Sequence, residues 1–149
     1  MYDSTNDTME HIRTVQRYMG FFSDMLDGRA MGHDSSKLEE PEKSTYDEFT
    51  PKLRGLTYGS DEYKACLVAM GPALQNHYSA NSHHPEHYTD GINGMSLLDL
   101  VEMLSDWKAA SLRHADGNIL ASLEINHARF KLSDQLYHIL KNTVEQMGW

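Results

Sequence analysis

Tyr63, Leu67, Met70, Leu74, His77 and Asn81 follow one another at steps of four, three, four, three and four. That spacing draws one stripe along an α-helix and does not fit the two-residue alternation of a half-buried strand. The same period governs most of the chain. A first helix is predicted over about residues 7–26, with Met9, Ile12, Met19, Phe22 and Leu26 on its apolar side and Asp27-Gly28 as its stop. A short segment from Arg29 to Lys37 follows. A modest helix should begin after Pro41, with Tyr46, Phe49 and Leu53 on one side, because proline is tolerated in a first helical turn. Ser60 reads as the N-cap of a helix lasting to about Asn81, which Gly71-Pro72 should kink or split. Residues 82–94, rich in His, Pro, Asp, Asn and Gly, read as a loop. Ser96 and Asp99 fit a capping box for a helix to about His114, and Asp116-Gly117 a turn. A last helix is expected over about residues 118–147, with Ile119, Leu123, Phe130, Leu140, Val144 and Met147 inward. No repeat, low-complexity segment or linker interrupts the pattern. The expected fold class is all-α, a compact helical bundle with residues 1–149 as a single domain.

Composition narrows the function classes. The chain of 149 residues is long enough to bury a core. No apolar run approaches the roughly 18 residues of a membrane span, and Met1-Tyr2-Asp3-Ser4 lacks the basic start of a signal peptide. Cys66 is the single cysteine, so no internal disulfide can form and a reducing cytoplasm is the expected compartment. The formal net charge of -9 argues against polymeric nucleic acid as a partner, since phosphate backbones are bound by surplus Lys and Arg. A small phosphorylated substrate stays compatible, because a divalent cation reverses the local field.

Nine histidines stand out, and His77, His83, His84 and His87 crowd into eleven residues. Histidine is the commonest metal ligand and the usual acid or base near neutral pH; scattered surface histidines are the plain alternative. His33-Asp34 offers an imidazole nitrogen and a carboxylate oxygen side by side. His11 lies upstream on the first helix, Asp106 downstream beside Trp107, and Lys37 three residues after Asp34. Each has an ordinary counterpart: His11 a solvent-facing helix residue, Asp106 half of an acidic i,i+4 pair with Glu102, Lys37 a surface lysine. Met103, Leu104, Trp107 and Ala110 imply that the helix of Asp106 is covered, and a covered carboxylate needs a cation or hydrogen-bond donors. His77 lies on an apolar stripe and should point inward. His84 would share its face only if the helix continued, and Pro85 makes that end extended. Arg29 and Arg113 are candidate phosphate contacts. Asn126, on the face of Phe130, is a candidate pocket residue or a satisfied buried amide. Glu86, His87, His114, His127 and His138 read as surface or structural.

The succession His11, His33-Asp34, Asp106 resembles the HD superfamily of metal-dependent phosphohydrolases, whose signature is a distant His, a His-Asp pair and a later Asp. His33-Asp34-Ser35-Ser36-Lys37 looks like the His-Asp-x-x-Lys form of some branches, in which the lysine contacts a substrate phosphate or hydroxyl. The stretch Asn81-Ser82-His83-His84-Pro85-Glu86-His87 and the pattern Glu102-Met103-Leu104-Ser105-Asp106-Trp107 are similar to an uncharacterised family common in tailed-phage genomes. The HD resemblance implies an HD-type helical domain and one metal on His11, His33, Asp34 and Asp106. Two-metal branches add histidines before the last Asp; His77 and His84 are the candidates here, with His83 in reserve, although those branches often space them more widely.

The resemblance implies hydrolysis of a phosphate ester or anhydride, most simply on a nucleotide. Asp34 would bind metal and orient water, and Lys37 would stabilise phosphate charge; Arg29, Arg113 and Asn126 complete the expected substrate contacts. Mixed imidazole and carboxylate ligands favour Mn, Fe, Co, Ni or Zn, with Mg also compatible. Two alternatives stand beside it: a di-iron oxygenase of the HD fold acting on a small organic substrate, and a metal-containing binding protein without catalysis. No membrane partner is expected, and a homodimer is compatible with the resemblance.

Overall fold

The structure, a computed structural model, describes residues 2–113 and 117–149. Within them the chain is all-helical, with six α-helices, three short 3-10 turns and no strand. No described helix is long and apolar enough to cross a membrane. His114 and Asp116, the expected helix end and turn, lie outside the described residues. By its contacts the chain divides into two units, Met1–His33 and Asp34–Trp149.

The first unit is one helix, α1 (Thr5–Gly32). The Asp3 carboxylate accepts from the Thr5 backbone N–H at 3.0 Å and from its hydroxyl at 2.6 Å, which starts the helix. Asp7 in the first turn and Arg29 in the last complement the helix dipole. The helix continues four residues past the stop read at Asp27-Gly28. One internal glycine costs only about 1 kcal/mol, too little to end a long cooperative helix. None of its residues is buried.

The second unit opens with a 3-10 turn, Ser35–Leu38, and then α2 (Glu42–Arg54) and α3 (Asp61–Ala80), which pack together and against that turn. The Ser60 hydroxyl accepts from the Tyr63 N–H at 3.1 Å, as its N-cap role requires. Gly71 breaks α3 at φ 48°, ψ -120°, a backbone open to glycine, and Pro72 begins the next turn without a donor to lose. Two 3-10 turns, Pro85–His87 and Gly91–Gly94, shape the loop that follows. A side chain at Gly94 would collide with Tyr88, 2.7 Å from its Cβ and 2.9 Å from its ring, so the bare glycine lets that side chain close on the loop.

α4 (Leu97–Ser111) carries the expected capping box of Ser96 and Asp99. The single last helix is instead two, α5 (Ile119–Phe130) and α6 (Asp134–Gln146). Lys131 takes a left-handed backbone (φ 52°) at the end of α5, and the Ser133 hydroxyl caps α6 by accepting from the Leu136 N–H. Met103, Leu104, Trp107, Ile119, Leu123, Leu132, Leu140 and Val144 form the apolar core of these three helices. Phe130 stacks on Trp107 at 6.0 Å between ring centroids.

Candidate metal centre

Four side chains of the second unit converge. Asp34 heads the first 3-10 turn in a left-handed backbone, φ 56° and ψ 15°, which is costly for most residues and least so for Asn and Asp. His77 projects from the last turn of α3. The chain leaves α3 at Asn81, whose side chain donates back to the His77 carbonyl at 2.8 Å, and then delivers His83 and His84. One nitrogen from each imidazole and one Asp34 oxygen all lie within 4.8 Å of one another. His77 Nε2 and His83 Nε2 stand 3.4 and 3.5 Å from Asp34 Oδ1, and His77 Nε2 stands 2.8 Å from His84 Nε2. A cation with bonds of about 2.1 Å holds neighbouring ligand atoms roughly 3.0 to 3.4 Å apart, so the donor set fits a divalent transition metal.

The rear nitrogens of two rings are also engaged. Glu42 Oε2 lies 3.0 Å from His77 Nδ1, and Glu102 Oε1 lies 3.0 Å from His83 Nδ1. A carboxylate behind Nδ1 selects the tautomer with its proton there and turns the Nε2 lone pair toward Asp34. Glu42 is fully buried; the Asn76 amide donates to it at 2.8 Å and the Ser36 hydroxyl at 3.0 Å. Burial pushes both His77 and His84 below the ordinary imidazole value, His77 further through the Lys37 charge, and His84, through His83 and His77, down to about 3. Both are therefore neutral at pH 7, the form that ligates metal.

Asp34 Oδ2 accepts from Lys37 Nζ at 2.5 Å. That ammonium also lies 4.9 Å from the centre of the Tyr46 ring. Burial first, and the Glu42 and Asp34 charges next, hold the Tyr46 hydroxyl well above its usual value. Asp106 on α4 is half-buried and brings a carboxylate oxygen within 4.8 Å of one from Asp34. Its charge raises the His84 pKa against the stronger lowering influences.

Asp99 ties the histidine loop to α4. Ser96 donates to it from backbone (2.8 Å) and hydroxyl (2.6 Å), the Ser82 hydroxyl at 2.8 Å and the Tyr88 hydroxyl at 2.9 Å. The loop carrying His83 and His84 is thus pinned on both sides of them. Burial works to raise the Asp99 carboxyl, but these bonds outweigh it and hold it well below the carboxylate range. Beyond the cluster, a groove of about 900 Å³ is lined by Tyr58, Tyr63, Tyr78, Leu67, Leu74 and Arg129 among others. The Tyr78 ring stands 5.1 Å from that of His84.

The expected site residues are thus only partly brought together. Asp34, His77, His84 and the reserve His83 converge, with Asp106 and Lys37 against Asp34. His33 caps α1 and is peptide-bonded to Asp34. His11 does not converge with that pair: 22 residues of continuous helix at 1.5 Å each set it about 33 Å from His33. Asn126 is fully buried; it accepts from the Tyr58 hydroxyl at 3.1 Å and donates toward Ser122 at 3.4 Å, so it serves packing rather than an open pocket. Arg113 is exposed past the end of α4, where its charge acts on Tyr63. Arg29 lies half-buried in the last turn of α1. Glu42 and Glu102 went unread as site residues; Glu102 had a signal, since it shares a helical face with Asp106 four residues on.

No curated protein and no solved structure matches the chain. A family model described as "Family of unknown function (DUF5662)" matches residues 1–146, nearly the whole sequence. The chain belongs to the DUF5662 family.

Proposed function

We propose that the protein is a metal-dependent phosphohydrolase acting on a nucleotide or a related phosphate ester or anhydride. The observation that carries this reading is the convergence of Asp34, His77, His83 and His84 within 4.8 Å, two of the rings backed by buried or half-buried carboxylates. A fold gains little stability from such an arrangement, because desolvating charged and polar groups costs free energy that apolar packing does not. His77, His83, His84 and Asp34 would hold the cation, with Asp106 placed to share a second one through Asp34. The bound metal would polarise a phosphoryl oxygen and lower the pKa of a water. Asp34 would orient that water, and Lys37 would meet the phosphate oxygens. The groove beside Tyr78 is apolar and aromatic enough to take a base or another flat group. The test is to purify the chain, quantify its metal, and assay phosphate release from mono-, di-, tri- and cyclic nucleotides with Mn, Co, Ni and Zn. Phosphate release that disappears in Asp34→Ala is the expected result. Full metal occupancy in that variant would sink the assignment.

The three imidazoles, together with the nearness of Asp106 to Asp34, support a second reading: a di-iron site that activates oxygen on a small organic substrate. Two irons per chain and oxygen uptake, without phosphate release, would select it.

A further inference from the structure

Three atoms crowd the amide nitrogen of Asn81 at the end of α3: the His77 carbonyl oxygen at 2.8 Å, the Ser36 hydroxyl oxygen at 2.8 Å and His77 Nδ1 at 3.1 Å. A carbonyl only accepts, so the end of the Asn81 side chain turned to it is the nitrogen and not the oxygen. That nitrogen carries two protons. One goes to the carbonyl. The other has two claimants, the serine oxygen and the imidazole nitrogen.

His77 Nδ1 meets opposite demands in turn. Glu42 Oε2, 3.0 Å away, accepts and calls for a proton on Nδ1. The Asn81 amide donates and calls for a bare Nδ1. The choice is felt at the front of the ring, since a neutral imidazole carries a single proton. With that proton on Nδ1, the lone pair lies at Nε2, 3.4 Å from Asp34 Oδ1. With it on Nε2, that nitrogen has no lone pair for a cation. Ser36 stands between the rivals, in the turn that Asp34 heads. Its oxygen is nearer to the Asn81 amide than Nδ1 is, 2.8 against 3.1 Å. Its one proton goes to Glu42 Oε2 at 3.0 Å rather than to Nδ1 at 3.4 Å. The Asn76 amide serves the other Glu42 oxygen at 2.8 Å. With Ser36 in place each donor of the set has its own acceptor, and Nδ1 is left to Glu42.

We propose that Ser36 is a positioning residue of the metal centre: by taking up the Asn81 amide proton and handing its own to Glu42, it fixes the Nδ1–H tautomer of His77 and keeps the Nε2 lone pair turned to Asp34. Asn81 is the rival that Ser36 holds off. Without the hydroxyl, the second Asn81 N–H has only Nδ1 within reach of those two acceptors, and it competes there with Glu42. The serine also ties together the parts that bear the ligands. It lies two residues after Asp34, and Asn81 lies two residues before His83. The consequence for metal affinity rests on the metal reading above; the choice of tautomer does not.

The test uses the full chain, labelled with nitrogen-15 in histidine and freed of metal by chelation. Two-bond proton–nitrogen spectra read which ring nitrogen carries the proton, and the His77 signals are those absent from His77→Gln. In the unaltered chain His77 should be protonated at Nδ1 and bare at Nε2. Ser36→Ala should move its population toward Nε2–H, and Ser36→Thr, which keeps the hydroxyl, should not. Ser36→Ala with Asn81→Ala removes the rival together with the residue that restrains it, so Nδ1–H should return; a merely structural serine would give no such recovery. Zn and Co affinity, measured by titration, should fall roughly tenfold or more in Ser36→Ala and recover in Ser36→Thr, the range expected for a residue behind a ligand. His77 protonated at Nε2 in the unaltered chain overturns the proposal without need of any variant. So does a tautomer that Ser36→Ala leaves unchanged; if the unaltered chain still binds Zn, the metal centre stands without this role for Ser36. A tautomer that shifts as expected in a chain that takes up neither Zn nor Co upholds Ser36 as the selector and removes the metal reading alone.

Discussion

The two halves of the second unit bury different things. The core between α4, α5 and α6 is built of Leu, Ile, Val, Met and Trp, and the buried Asp99 and Asn126 on the same helices hold hydrogen-bond partners. Around α2, α3 and the histidine loop the most deeply enclosed are Glu42, His77 and His83, at 0 to 1% exposure. The first arrangement follows from transfer of apolar area out of water, at about 25 cal/mol per Å². The second runs against it, since enclosed carboxylates and imidazoles lose hydration that only hydrogen bonds, opposite charge or a cation replaces. One half is a scaffold, and the other is a built polar site that the scaffold holds.

Substitutions should therefore separate the halves. Asp34→Ala should abolish metal binding, read by elemental analysis, while leaving helical content intact; loss of the fold instead would make the cluster structural. Leu123→Ala, at the centre of the apolar core, should cost about 3 kcal/mol in urea unfolding through the cavity it leaves, with metal content per folded molecule unchanged. Glu42→Gln keeps the shape behind His77 but removes the charge. It should lower metal affinity by roughly 10- to 100-fold, and an unchanged affinity would show that Glu42 serves packing alone.

Asp99→Asn links the halves, and should cost roughly 1.5 to 3 kcal/mol at pH 7, the range for hydrogen bonds to a charged group. Its pH dependence has a definite sign. The folded carboxyl lies below its ordinary value, so the wild-type advantage over Asp99→Asn is full above about pH 4 and fades as the pH falls toward the depressed value. Unfolding curves at pH 7, 4 and 3 read it, and a gap that stays constant would contradict the assignment. Ser133→Ala should cost only about 1 kcal/mol, through the lost α6 cap, with no effect on metal.

Local physics was legible in the sequence where one residue type does one job. Ser60, the Ser96–Asp99 box and Gly71-Pro72 act within a turn of themselves, and each does what its chemistry predicts. The break between α5 and α6 was hidden because Leu123, Phe130, Leu140 and Val144 keep a helical rhythm across it, while the cap that decides it is one serine. His33-Asp34 and the histidine crowd advertised a site by type alone. Which imidazoles meet depended on the path after Asn81, which brings His84 to His77 without helical continuity. Glu42 was silent, since nothing in a first-turn glutamate tells that α3 will cover it. His11 matched a pattern by residue type, and only the unbroken length of α1 shows how far it lies from its own dyad.

The backbone at Asp34 narrows what that position can hold. Left-handed geometry admits glycine and asparagine readily, but neither carries a charge for Lys37 or a cation. Glutamate has the charge but lacks the short side chain that eases this conformation. Aspartate alone among the twenty meets both demands. Asn is accordingly the cleaner probe there than Ala, because it leaves the peptide geometry at ease and changes only the charge.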